Sequence, residues 1–215
     1  ARFTETIKKV NRLIKQFAPE EFKKSWQVSV SDGTVAFGSA YHNWGITVPY
    51  MAKSKISFTE IFEYCNNEDQ KTLAQKAPVH EVLLDMAVTK LPGPVEAQPY
   101  RIPNIWTGDL DSPIGKAMMG CDPEAELAMM ITKIWMDPHA GEVAVGRIYS
   151  GAIAQGESVF AIGAAKPERV QQVSMMVGGD RITVPKVVAG NIAALTGIRS
   201  AAAGVTLSRD KDFTP

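Results

Sequence analysis

Gly141-Glu142-Val143-Ala144-Val145-Gly146-Arg147-Ile148-Tyr149-Ser150-Gly151 sets the texture of the second half of the chain: apolar side chains at near-alternate positions, bracketed by glycine. Runs of the same kind flank it. Upstream, Leu127, Met129, Ile131 and Ile134 alternate or nearly so. Downstream come Ser158-Val159-Phe160-Ala161-Ile162, Val170 to Val177, Val184 to Val188, and Ile192-Ala193-Ala194-Leu195. Turn formers separate them at Asp137-Pro138, Gly151, Gln155-Gly156, Gly178-Gly179-Asp180, Gly190-Asn191, Gly197 and Gly204. Many short apolar runs with glycine punctuation predict a small antiparallel β-barrel over residues 121–215. No helix longer than a turn is expected from Ala125 onward.

The first half reads differently. Phe3, Ile7, Val10, Ile14 and Phe17 recur at spacings of three and four, one face of a helix that Pro19 stops. Its basic residues read as a solvated face or a partner surface. Trp26, Val28 and Val30 alternate, Ser31-Asp32-Gly33 is a turn signal, and Val35-Ala36-Phe37 is a short apolar run, which together predict a hairpin. Gly38-Ser39-Ala40 leaves the second strand. Residues 45–78 read as a mostly helical insertion, with a capped helix starting at Ser57 and another from Gln70 to Lys76. Val79 to Leu91 is the clearest helix, with Val82, Leu83, Met86, Ala87 and Leu91 as its apolar stripe. Leu91-Pro92-Gly93-Pro94 ends it. Residues 95–120, broken at Pro99, Pro103, Gly108, Pro113 and Gly115, predict an extended linker. The expected organisation is thus an α/β part over 1–94, a linker over 95–120 and an all-β part over 121–215.

Composition narrows the function classes. The chain has 215 residues, with 23 Lys plus Arg against 23 Asp plus Glu. Zero net charge argues against a strongly basic nucleic-acid binder or an acidic disordered tail as a description of the whole chain. The apolar runs fall far short of the ~18 residues of a membrane span, and no signal-peptide pattern is present. Cys65 and Cys121 lie far apart, which fits a reducing cytoplasm better than a disulfide scaffold. The chain starts at Ala1 rather than Met and stops after Asp212-Phe213-Thr214-Pro215 with no closing pattern, so it is expected to be a piece of a longer protein.

Catalytic patterns are missing. His42, His80 and His139 are scattered, no Cys-x-x-Cys or His-x-x-x-His spacing occurs, and no metal site is expected. Neither a nucleophile elbow nor a Gly-x-x-x-x-Gly-Lys-Ser/Thr phosphate loop is found. Asp109 and Asp111, two apart among turn formers, read as turn caps or as an acid–base pair. The methionine pairs at 118–119, 129–130 and 175–176 read as adaptable core fill or as a binding groove.

Two blocks go further. One is Val35-Ala36-Phe37-Gly38-Ser39-Ala40 with His80-Glu81-Val82-Leu83-Leu84-Asp85-Met86 and Leu91-Pro92-Gly93-Pro94. The other is Ile131-Thr132-Lys133-Ile134, Asp137-Pro138, Gly146 to Gly151, Gly156, Ala189-Gly190-Asn191-Ile192, Gly197 and Gly204-Val205-Thr206-Leu207. In this order, over essentially the whole chain, they resemble the translocase family of translation elongation factors: elongation factor 2 of archaea and eukaryotes and elongation factor G of bacteria. The helix carrying Arg12-Leu13-Ile14 and the segment around Trp44 look closest to the archaeal members.

The resemblance implies a fragment spanning the C-terminal part of a P-loop GTPase G domain, an α/β fold, followed by the translation-factor β-barrel called domain II. It implies that helix 79–91 is the last of the G domain. It implies that Gly38, Ser39 and Ala40 form the family's second guanine loop, where small side chains let the Ala40 N–H reach the guanine O6 acceptor. That loop is expected to be solvent-exposed here. The Asn-Lys-x-Asp loop, phosphate loop, switch segments and catalytic histidine of the family have no counterpart in this sequence. The intact parent is therefore expected to bind GTP or GDP with magnesium and to hydrolyse GTP as it moves tRNA and mRNA through the ribosome in the cytoplasm. The fragment is expected to hold no nucleotide or metal and to be inactive as a GTPase.

The family's barrel contacts small-subunit ribosomal RNA and the G domain. Arg147, Lys166, Arg169, Arg181 and Arg199 are candidates for either contact, against a plain reading as solubilising charges. Membrane and DNA are not expected partners. Gly146, Gly151, Gly156 and Gly190 are expected at turns and bulges. Other translational GTPases (initiation, release or recycling factors) share the barrel, and a stand-alone RNA-binding or adaptor module is a further alternative.

Overall fold

A computed structural model describes residues 2–214. The chain divides into two compact units, the first ending at Leu91 and the second starting at Pro92.

The first unit opens with α1 (Arg2–Phe17), where periodicity placed it. The hairpin expected over 26–37 forms one step later, as β1 (Phe37–Ser39) paired antiparallel with β2 (Trp44–Ile46). The residues meant for its first strand have other partners. Asn11 of α1 receives the Val28 N–H at 2.7 Å and donates to the Val28 carbonyl at 3.0 Å. Thr34 Oγ1 accepts from the Ser29 N–H at 2.7 Å, and Asp32 accepts from the Thr34 N–H at 2.9 Å. Polar side chains thus satisfy backbone groups that a ladder would otherwise take. Three short helices follow: α2 (Val48–Ser54), α3 (Phe58–Asn66) and α4 (Gln70–Lys76). Ser57 and Glu60 close a capping box on α3. These elements bury Ile46, Ile56, Ile61, Leu73 and Ala77. Of the stripe expected on α5 (Val79–Lys90), Val82 is buried, Met86 and Ala87 are half-buried, and Leu83 and Leu91 face solvent, as do Leu84 and Val88 outside it.

The second unit corrects the linker. Residues 94–105 form α6 (Pro94–Ile105) and residues 113–120 form α7 (Pro113–Gly120). Pro94 sits at the helix start, where its missing N–H costs nothing. Pro99 and Pro103 lie inside α6 and each removes one intrahelical bond. Tertiary packing outweighs that loss. Ile102 is buried with Met118, Ala128 and Phe213, and buried Gln98 donates through Nε2 to the carbonyls of Met118 and Tyr149.

Strands take over from there: β3 (Ala128–Asp137), β4 (Gly141–Ser150), β5 (Ala152–Ala154), β6 (Ser158–Ala161), β7 (Glu168–Arg169), β8 (Gln172–Val177), β9 (Asp180–Thr183), β10 (Lys186–Val188), β11 (Ile192–Thr196) and β12 (Thr206–Ser208). Eight of them form one antiparallel sheet in the order β7-β6-β12-β3-β4-β11-β8-β9, and β5 pairs with β10 as a ribbon against β8. The result is barrel-like. Its interior holds Leu127, Met129, Ile131, Ile148, Ile153, Val159, Val173, Leu195 and Leu207, all fully buried. Each such side chain is worth ~1.5–3 kcal/mol of transfer free energy. The β3–β4 ladder slips between Ile131 and Lys133. Near that bulge a Cβ on Gly146 would stand 2.4 Å from the Met130 carbonyl oxygen, so glycine is needed for the strands to approach. Gly151 combines a φ of +71° with a Cβ position 2.7 Å from the Ala125 carbonyl.

Candidate nucleic-acid interface

The Gly38-Ser39-Ala40 loop lies at the tip of the β1–β2 hairpin. Gly38 has a structural reason to be small, because a Cβ there would stand 2.5 Å from the Trp44 carbonyl oxygen across the ladder. Ser39 is half-buried and its Oγ accepts the His42 N–H at 3.3 Å. Ala40 is exposed, and its carbonyl accepts the Asn43 N–H at 3.3 Å, which closes the turn. The expectation of an exposed loop therefore holds at Ala40 and less at Ser39. The geometry leaves one small-residue backbone edge open beside an exposed Tyr41.

The five basic candidates separate into distinct environments. Arg181 on β9 is tied inside the sheet: it donates through Nη1 to Gln172 Oε1 at 2.6 Å, and its Nε stands 3.5 Å from Asp137 Oδ2. The N–H groups of Ala140 and His139, with the Arg181 charge beside them, hold the Asp137 carboxyl below the usual carboxylate range. Arg147 is half-buried on β4, opposite Ile192 and Met130. Its charge opposes the burial that pushes the Cys121 thiol up. Arg209, not singled out from the sequence, pairs with Glu157 at 3.0 Å and lies near Glu126.

Lys166, Arg169 and Arg199 are brought together. They line a shallow groove of about 750 Å³ floored by Gly156, Val170 and Gly197. All three are exposed, and among the described residues none forms an ion pair. Main-chain bonds build the walls: Gly156 N–H to Val170 O and Val170 N–H to Glu157 O, each 2.8 Å, and Gln171 N–H to Thr196 O at 2.9 Å. Arg169 Nε donates to the Gly156 carbonyl at 3.1 Å, which fixes the plane of its guanidinium. Three unpaired cations around a concave surface attract polyanions, and an arginine fork suits phosphate oxygens.

Sequence reasoning missed Glu168, which belongs to this groove. Its carboxylate accepts the N–H of Ser200 at 3.1 Å, the N–H of Arg199 and the Ser200 hydroxyl. The available signal was an acid set between Lys166 and Arg169, but its partners lie more than thirty residues away. Among the described residues no group of His, Cys, Asp and Glu could hold a metal ion. No helix among them is long and apolar enough to cross a membrane.

Residues 126–210 match the family model for elongation factor G domain 2. The chain is 57% identical over 206 residues to elongation factor 2 of Methanococcus aeolicus, covering 96% of this chain and 28% of that protein. It is 56% identical over 214 residues to elongation factor 2 of Picrophilus torridus, covering 100% of this chain and 29% of the relative. With elongation factor 2 of Thermococcus gammatolerans the identity is 53% over 210 residues, covering 98% and 29%. The chain thus spans somewhat more than a quarter of the length of these curated relatives.

Proposed function

We propose a role in ribosomal translocation for this chain, which belongs to the elongation factor 2 family of translation factors. The observation that carries the reading is identity above one half along nearly the whole chain, to proteins that share one name. That name favours a translocase over an initiation, release or recycling factor, and over a stand-alone adaptor.

In this reading the intact factor binds GTP and hydrolyses it while tRNA and mRNA advance on cytoplasmic ribosomes. The unit ending at Leu91 is the C-terminal part of its α/β G domain, and the strand-rich unit contains domain II. Gly38, Ser39 and Ala40 hold the guanine base. Their fit rests on the exposed Ala40 edge and on the lack of bulky side chains at these three positions. Bound GTP supplies the scissile phosphoanhydride. This chain's contribution is base contact, because its sequence contains no Gly-x-x-x-x-Gly-Lys-Ser/Thr loop to cradle phosphates and magnesium. Phosphate and metal chemistry, and with them catalysis, belong to other segments of the parent, and the chain alone is inactive as a GTPase.

The barrel's part is docking. Lys166, Arg169 and Arg199 contact phosphates of small-subunit ribosomal RNA, whereas Arg181 holds β9 to β3 and Arg147 lies half-buried on β4 outside the groove. The test uses the intact factor on archaeal ribosomes, with puromycin reactivity of peptidyl-tRNA as the measure of movement. The wild-type factor is expected to make the reaction GTP-dependent, and a factor that fails to do so overturns the reading. Replacing Lys166, Arg169 and Arg199 together by alanine is expected to raise the factor concentration for half-maximal movement about tenfold. An unchanged requirement would move the RNA contact elsewhere, and an acidic protein surface would become the groove's partner.

A further inference from the structure

The groove described above contains an acid among its three cations, where by charge alone it would weaken the attraction for a polyanion. Glu168 lies between two cations in sequence and lines the same concavity. Its two oxygens are directed at the segment 198–200, where they meet two backbone N–H groups and one hydroxyl. Ile198, 5% exposed, anchors the start of that segment in the barrel interior, whereas Arg199 and Ser200 are exposed. Gly197, with a φ of +96°, precedes it, and Ala201, Ala202, Ala203 and Gly204 follow it. Ile198 and Ala201 pack on the core at either side, and between them the carboxylate that takes three hydrogen bonds from Arg199 and Ser200 sets the path of the exposed step.

We infer that Glu168 is a positioning residue for an RNA-backbone phosphate site, fixing the 198–200 loop against β7 so that Arg199 stands over the groove with Lys166 and Arg169. The inference rests on the RNA-docking reading of the groove and deepens it. The three donors offset the negative charge of Glu168 where it sits. Pairing of β7 with β6, in the register Ser158 opposite Arg169 and Val159 opposite Glu168, fixes the base from which the carboxylate reaches. Both oxygens of Glu168 face a loop whose removal from place would carry Arg199 away.

Charge counting and positioning predict opposite signs. If Glu168 acted as one negative charge among three positive ones, its removal would tighten polyanion binding. If it positions Arg199, its removal weakens binding and takes one cation out of the salt dependence.

The experiment measures binding of a twelve-base-pair RNA duplex to the chain at several KCl concentrations. Lys166→Ala, Arg169→Ala and Arg199→Ala are each expected to weaken binding several-fold and to lower the slope of log K against log salt by about 1. Glu168→Ala is expected to do the same, and adding Arg199→Ala to it is expected to change nothing further. Glu168→Gln, which keeps acceptor oxygen at that place, is expected to recover part of the loss. It carries the test if the alanine variant fails to fold, as read from amide shifts outside 166–171 and 197–201. Tighter binding by Glu168→Ala, or full additivity with Arg199→Ala, overturns the positioning role while leaving the RNA reading intact. Three silent cation variants overturn the RNA reading itself, and the inference falls with it.

Discussion

The two units cover their apolar surface very differently. In the strand-rich unit nearly every interior position is sealed: Met129, Ile131, Ile148, Val159, Val173, Leu195 and Leu207 are fully buried. In the first unit α1 buries no residue at all, and α5 leaves Leu83, Leu84 and Val88 in solvent, as is Leu91 just past its end. The contrast follows from architecture. A sheet curled on itself hides one face of every strand, whereas a helix needs a neighbour for its stripe. Five buried side chains under a two-stranded hairpin and three short helices make a small core for some ninety residues.

Cutting the chain gives the largest expected effect. Residues 92–215 expressed alone should melt cooperatively, and residues 1–91 alone should aggregate or lack a cooperative transition. A reversible two-state melt of 1–91 would break the comparison. A shorter piece, 117–215, sharpens it. Without α6 it strips Ile102 from Met118, Ala128 and Phe213, and its midpoint should fall below that of 92–215.

Single substitutions probe the same difference on a smaller scale. Leu207→Ala, at 0% exposure in β12, should cost ~2–5 kcal/mol in denaturant unfolding. Leu84→Ala, at 63% exposure in α5, should stay within ~0.5 kcal/mol. Similar costs at the two sites would mean that α5 is covered in solution.

The smallest effect is electrostatic and confined to one edge of the sheet. The folded-state pKa of Asp137 is depressed by the Ala140 and His139 N–H groups, then by Arg181. Its carboxylate therefore contributes stability above the ordinary aspartate value of about 3.9, and the contribution fades as pH falls from there through the depressed value. Acid should loosen the β3–β4 turn and its tie to β9 in that window. Asp137→Asn, which keeps an acceptor for the two N–H groups, should flatten that part of the acid profile. Amide exchange at His139, Ala140 and Arg181 is the measure.

Local signals were legible wherever backbone preference and packing agreed. The α4 boundaries, the Ser57–Glu60 box and the strand-rich texture after Ala125 all carry their cause within a few residues. Where a distant partner decides, the sequence misleads. Pro99 and Pro103 argue against helix, yet Gln98 and Ile102 are held by groups 20 and 51 residues away, in one case, and by a buried cluster in the other. The alternating Trp26, Val28 and Val30 argue for a strand, yet Asn11 supplies the bonds a strand partner would. The groove shows the same limit. Lys166, Arg169 and Arg199 are three of five ungrouped basic candidates in the sequence, and the loop return that brings Arg199 beside the other two, and Glu168 onto that loop, is a property of strand order.

Gln98 gives that long-range control a mechanical meaning. A single amide nitrogen serves carbonyls from two separate elements, one ending α7 and one in β4. A rotation of α6 by even one residue would strip both acceptors at once and swing Ile102 out of its pocket. The proline-bearing helix is keyed like a tongue in a slot, able to be pulled out whole but not to slide.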